Sequence, residues 1–280
     1  MRHYFFMLAV LLLILSSCGG GKTGAATAED VSDSAVVRDS MSAVDSLLAE
    51  LDNVPMPKAA DELFDDFVFN FAANRKLQME RVLFPLRTVT NGKVDVVSRS
   101  HWKMEHFFMN QGYYTELFDN ERHMEVVKDT SVSQAVVEKI FFDSQTVSQY
   151  QFRRLKGAWM LVEVRNIPID KSNNASFLPF YHQFASSQEF QLKHLDDEVT
   201  FVGPDPDDDF AMMEGVITPD TWEAFAPQLP QKMIYNIIYG TPRAEGDSKL
   251  FVLRGIANGL ELEMTFIRSN GKWRLTKLST

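Results

Sequence analysis

Histidines and acidic residues come close to metal-binding spacing at two places. His101 and His106 bracket Glu105 in a pattern one residue longer than the zinc motif His-x-x-Glu-His. On a helix, five steps turn the second imidazole roughly 140° away from the first, so one ion could not take both. Asp205-Pro206-Asp207-Asp208-Asp209 alternates carboxylates as calcium loops do. The glycine and the closing glutamate that such a loop requires are replaced by Phe210 and Val216, which leaves a solvated hairpin loop, or a looser calcium site, as the readings. Gly21-Lys22-Thr23 ends like a phosphate-binding loop, but the glycine needed before it is Ser16. His123, His182 and His194 have no ligand-like spacing. No metal and no cofactor is expected.

The reactive group with the clearest chemistry is the single cysteine, Cys18. It follows a basic start, Met1-Arg2-His3, an apolar run from Tyr4 to Leu15 and the small residues Ser16 and Ser17. That order is a secretory signal, and about 18 Å of helix is too short for a bilayer core of roughly 30 Å. Leu15-Ser16-Ser17-Cys18 resembles the bacterial lipobox, in which the thiol is lipidated and cleavage precedes the cysteine. Residues 1–17 are therefore expected to be a signal peptide, with Cys18 carrying lipid into the bilayer of the cell envelope, at the outer membrane. No cysteine remains for a disulfide, so the mature chain must be held by its core.

Polar residues suited to a pocket are Gln78 and Gln191, His182 and His194 on helices, Tyr235 and Tyr239 on a strand, and Tyr113 and Tyr114 earlier in the chain. Of these, Gln78, Gln191, His182 and Tyr235 are taken as ligand-contact candidates. The structural alternative is a buried glutamine closing onto backbone groups, with imidazoles and tyrosines at a sheet rim. No catalytic set emerges from the spacing.

The chain of 280 residues is 45% hydrophobic and carries a net charge of −10, or −11 once Arg2 leaves with the signal. An acidic body without a Lys/Arg-rich run excludes nucleic acid as a partner and argues against electrostatic adhesion to anionic lipid. Residues 18–57 read as a tether with a reach of roughly 25 Å from its unstructured part. It includes one short helical pattern, Val44, Leu47, Leu48, Leu51 and Val54, ended by Pro55-Met56-Pro57.

Beyond residue 57 the chain runs through one plan twice. Phe64, Phe67, Phe71, Ala72 and Gln78 match Phe177, Phe180, Phe184, Ala185 and Gln191 at an offset of 113. Both runs are amphipathic helices with Phe on the inner stripe. A hairpin follows each, Leu83–Val89 with Val94–Val97 about Asn91-Gly92, and Val199–Val202 with Phe210–Ile217. Ser98 to Trp102 and Thr218 to Trp222 then form a short helix with a hydroxyl at its start. Phe152 to Leu161 matches Phe266 to Leu275 at offset 114, each a strand, a glycine turn and a strand with Trp and Leu on one face. Arg154 and Arg268 fall on the opposite face, at the surface.

The expected fold is α+β, with two domains, 58–170 and 171–280, each an antiparallel sheet on N-terminal helices. Each would hold a helix pair, a hairpin, a short helix and three long strands, with Asp170 to Ser176 as the polar joint. The Phe-rich helix and the closing Phe-x-Arg-x-x-Gly-x-Trp-x-Leu strands resemble the nuclear-transport-factor-2-like superfamily, which includes ketosteroid isomerase and SnoaL-type cyclases. The resemblance implies cone-shaped domains, curved sheets wrapped on helices, often with an internal pocket. With the lipobox, the pair of cones also resembles Bacteroides lipoproteins known only as a domain of unknown function. The function expected is a non-catalytic binding or assembly module, meeting a protein partner or a small apolar ligand. The alternative is a small-molecule enzyme or carrier using a cone interior.

Overall fold

The computed structural model describes residues 62–280 except Pro206. The signal segment, Cys18, Gly21-Lys22-Thr23, the tether and the helical pattern over 44–54 lie outside the described residues.

Each half opens with two helices whose apolar stripe points inward. Helix α1 (Phe64–Ala73) buries Phe64, Phe67, Val68, Phe71 and Ala72, and α2 (Arg75–Arg81) buries Gln78. Asn74 separates them, its side chain accepting the backbone N–H groups of Lys76 and Leu77 as an N-cap. The second half repeats this in α4 (Phe177–Ser186) and α5 (Gln188–Lys193), where Ser187 caps through the N–H of Phe190.

The first half then supplies β1 (Val82–Thr90), β2 (Lys93–Val97), β3 (Tyr113–Phe118), the short helix α3 (Glu121–Met124), β4 (Gln134–Phe141), β5 (Thr146–Leu155) and β6 (Ala158–Pro168). The second supplies β7 (Leu195–Asp205), β8 (Asp208–Ile217), β9 (Met233–Tyr239), β10 (Ser248–Gly255), β11 (Glu261–Ser269) and β12 (Lys272–Ser279). Four strands, not three, thus follow the hairpin in each half. The segment leading to Trp102 is a 3-10 turn, Arg99–His101, and Trp222 opens another, Trp222–Ala224. His101 and His106 share no helix: an irregular segment separates two 3-10 turns.

Two six-stranded sheets result, in the orders β2-β1-β6-β5-β4-β9 and β3-β10-β11-β12-β7-β8. Each is antiparallel except for one parallel pair, β1 with β6 and β7 with β12. The halves exchange a strand: β9 completes the first half's sheet by pairing with β4, and β3 completes the second half's by pairing with β10. The joint at 170–176 therefore separates two runs of sequence but not two self-contained sheets.

Both interiors are packed with rings in matching positions. Phe64 meets Trp159 edge-on at 4.9 Å and Phe71 meets Phe152 at 5.3 Å; Phe177 meets Trp273 at 5.3 Å and Phe184 meets Phe266 at 5.3 Å. Trp159 and Trp273 are both buried. Their arginine partners are not simply at the surface. Arg154 is buried, with its guanidinium carbon 4.8 Å from the Trp159 ring, and Arg268 lies 5.1 Å from the Trp273 ring. Arg154 and Arg268 stand directly across the ladder from Trp159 and Trp273, so the pleat puts each guanidinium on the indole's face, where the ring attracts the cation. The exchange also mixes the cores. Leu250 and Val252 of β10 join the first core, and Leu117, Ile140 and Phe142 join the second. Central strands buried on both faces in this way read as nearly continuous apolar runs.

Candidate functional site at the strand exchange

The exchanged strands β3 and β9 are the terminal strands of their sheets and lie against each other. Polar side chains tie them. Thr115 Oγ1 donates to the carbonyl of Tyr235 at 2.7 Å and accepts its N–H at 2.9 Å. The Leu117 N–H donates to Asn236 Oδ1 at 2.9 Å, and Asn236 Nδ2 donates to Glu138 Oε2 at 2.8 Å. Gln149 Nε2 donates to the other Glu138 oxygen at 2.8 Å. Burial raises the Glu138 pKa above the usual carboxylate value despite these donors.

One end of this seam carries a convergent set of titratable groups. Asp65 comes from the first turn of α1, Glu116 from β3, Tyr239 from the end of β9 and Arg254 from β10. The Tyr239 hydroxyl lies 2.8 Å from Glu116 Oε1 and is also hydrogen-bonded to Asp65. Arg254 Nη1 donates to Glu116 Oε2 at 2.9 Å, and its Nε donates to Glu261 Oε1 at 2.8 Å. A tyrosine hydroxyl has one hydrogen, so two carboxyl groups can both bond to it only if one of them supplies a proton. Burial agrees with that count. It pushes Glu116 up to about 7, aided by Asp65, and raises Tyr239, aided by both acids, and Asp65, where Asp66 adds to the effect. Burial and the Glu116 charge bring nearby Tyr114 to about 12. The set can hold and pass a proton, but Glu116 and Tyr239 are closed in.

The other end is more polar. Lys249 Nζ donates to Asp119 Oδ1 at 2.8 Å, and the Asp119 N–H donates to His123 Nδ1 at 3.3 Å. An accepting Nδ1 makes this the neutral ring with its proton on Nε2. Burial lowers the His123 pKa, and the charges of Arg243 and Lys249 add to the effect against the pull of Asp119. A cavity of about 40 Å³ lies here, lined by residues of both halves.

The residues singled out from the sequence go elsewhere. Gln78 Nε2 donates to the carbonyls of Phe71 (2.8 Å) and Glu105 (2.6 Å), while its Oε1 accepts Trp102 Nε1 at 3.2 Å. Gln191 repeats this, donating to Phe184 O at 2.9 Å and accepting Trp222 Nε1 at 2.9 Å. Each glutamine thus bridges a helix carbonyl to the half's other tryptophan, which accounts for both as structural groups. Tyr235 is buried in the first core, edge-on to Phe108. His182 stacks on Phe142 with the rings 4.8 Å apart, and His194 Nδ1 donates to Phe190 O at 2.8 Å. The structure does not bring Gln78, Gln191, His182 and Tyr235 together. Among the described residues no group of three or more His, Cys, Asp or Glu could hold a metal ion.

Sequence reasoning named Tyr239 and Tyr114 but missed Asp65, Glu116, Lys249 and Arg254. The available signal was Glu116 itself, an acid inside the apolar run Tyr113–Phe118.

Comparison with known proteins agrees with this architecture. The crystal structure of an NTF2-like protein from Bacteroides fragilis NCTC 9343 is 39% identical, with a TM-score of 0.72, and the match covers 80% of this chain and 98% of that one. Among curated proteins nothing matches. Residues 43–280 match the family model described as Domain of unknown function (DUF4348). With that span matched, the chain belongs to the DUF4348 family, and its fold is a tandem NTF2-like one.

Proposed function

We propose that this protein is a cell-envelope lipoprotein, held at the outer membrane through lipidated Cys18, that works as a non-catalytic binding or assembly module. The observation that carries the non-catalytic reading is the filling of both interiors. Phe64, Phe71, Phe152 and Trp159 occupy one, and Phe177, Phe184, Phe266 and Trp273 the other. A fold that closes its own pocket with rings presents its outer surface and its seam to a partner. The anchor rests on the sequence Leu15-Ser16-Ser17-Cys18. No described helix is long and apolar enough to cross a membrane.

A second reading, a small-molecule enzyme or carrier, draws on the Asp65–Tyr239–Glu116 set, since a carboxyl and a tyrosine in hydrogen-bond contact can serve as base and donor. A thermal-shift and turnover screen against metabolites separates the two. Stabilisation without conversion supports the binding module; conversion abolished by Glu116→Gln and Tyr239→Phe supports the enzyme. Mass spectrometry of the purified N-terminus tests the anchor, with a diacylated or triacylated Cys18 expected and an unprocessed precursor expected for Cys18→Ser. A chain cleaved elsewhere with a free Cys18 thiol contradicts the anchor.

A further inference from the structure

The small cavity at the seam lies outside both aromatic interiors, and its polar lining is more than a wall between halves. Asp119, His123, Asn174, Thr241, Arg243 and Lys249 all face it. Two of them are almost wholly buried, Asn174 and Lys249, each at 4% exposure. The Lys249 ammonium has three N–H donors and gives one to Asp119. Asn174 uses its backbone N–H on Ser172 Oγ (3.3 Å) and its carbonyl on the Leu178 N–H (2.9 Å). Its side-chain amide makes no hydrogen bond among the described residues. An amide that lacks a protein partner and borders a cavity is placed to meet a ligand.

His123 and Arg243 line both this cavity and an outer groove of about 530 Å³, to which Arg122 also contributes. Acidic groups are present as well, Asp119 in the cavity and Glu125 and Asp129 in the groove. Asp119 holds Lys249, Glu125 holds Lys128 and Asp129 accepts from Ser131. Arg122 and Arg243 make no ion pair among the described residues. In the inner cavity the cations Arg243 and Lys249 outnumber the single acid Asp119, so its net charge is positive, on a chain whose net charge is −10.

We propose that this recess is an oxyanion-binding site for the carboxylate group of a small organic ligand. Lys249 and Asn174 receive the carboxylate in the inner cavity, Arg243 and the His123 Nε2–H stand at its mouth, and the rest of the ligand lies in the outer groove. The inner volume of about 40 Å³ admits a head group of that size and not a ring system. The inference deepens the reading of the protein as a binding module by naming a ligand class, and it does not depend on the lipid anchor.

Calorimetric titration of the purified full chain with acetate, succinate and citrate, at fixed ionic strength, tests it. Inorganic phosphate and sulfate form the comparison arm. Saturable binding of a carboxylate is expected, weakened at least about tenfold by Arg243→Ala and by Asn174→Ala, since each removes a hydrogen bond to a charged group. Lys76→Ala, on the exposed side of α2, is expected to leave it unchanged. Arg243 is exposed, so its variant reads out the site even if Asn174→Ala is unstable. Absence of saturable binding by the wild type, wild-type affinity in Arg243→Ala, or tighter binding of phosphate than of every carboxylate overturns the proposal. Conversion of a bound carboxylate counts for the site and against the non-catalytic reading, so the two can fail separately.

Discussion

Thr115 and Tyr235, 120 positions apart in the chain, exchange two hydrogen bonds through one hydroxyl, 2.7 Å to the carbonyl and 2.9 Å from the N–H. The threonine side chain does for the ends of two sheets what a backbone ladder does within one. Replacing it with valine keeps the shape and leaves a buried donor and acceptor of Tyr235 unpaired, at a cost of about 1–3 kcal/mol. Chemical denaturation of Thr115→Val measures the loss; a variant as stable as the wild type contradicts the role assigned to the seam.

Because each sheet ends in a strand from the other half, the halves are expected to unfold together. Cleavage within the 170–176 joint should leave both fragments associated on gel filtration, and residues 58–170 expressed alone should not fold. The joint is itself held down, with Asn173 Nδ2 on the Arg243 carbonyl and the N–H groups of Ser176 and Phe177 on Glu245. Proteolysis should therefore reach it after the tether. Two separate melting transitions would argue that the exchange is dispensable.

Trp159 and Trp273 occupy equivalent buried places, each beneath an arginine. Truncation of either to alanine is expected to cost on the order of 3–5 kcal/mol, as for other large buried aromatics. Similar losses at the two sites in denaturant titrations are the signature of the repeat.

The Asp65–Tyr239–Glu116 set fixes the direction of a pH effect. Glu116 and Asp65 have pKa values raised mainly by burial, Glu116 from 4.5 to about 7. A raised carboxyl binds more protons in the folded state, so its contribution is complete below pH 4.5 and is lost as pH climbs to about 7. His123, lowered by burial, acts oppositely: stability through it rises with pH up to its ordinary value of 6.5. Glu116→Gln should remove most of the carboxyl-linked decline. Melting temperatures of the two proteins across that range decide it, and parallel profiles sink the assignment.

Much of the fold was legible because its signals are local. Asn91-Gly92 fixed one hairpin, the Phe stripe fixed α1 and α4, and the Gly-x-Trp-x-Leu pattern fixed β5–β6 and β11–β12. The strand exchange was not legible. Tyr113–Phe118 and Met233–Tyr239 are apolar strands at corresponding places of the two copies, and either would satisfy the edge of β4 or of β10. The choice is made by how the two bodies meet, which no local pattern records. The seam residues were missed for the same reason: Asp65, Glu116, Tyr239 and Arg254 converge only once the strands have crossed over. Arg154 was misplaced on account of its charge: two steps from Phe152 and directly across from Trp159, it shares the inner face by alternation.

The crossing-over also sets an order of events at the ribosome. Met233 is added about 90 residues after Phe141, so at roughly 5–20 residues per second the β4 edge waits about 5–20 s for its partner. Throughout that interval the nascent first half displays a row of unpaired amides and carbonyls beside a Phe-rich surface, the kind of template on which other chains stack. A growing chain of this design calls for a holding factor until its final third has been made. Ribosomal stalling before residue 233 should leave a product that aggregates, however sound the residues already joined.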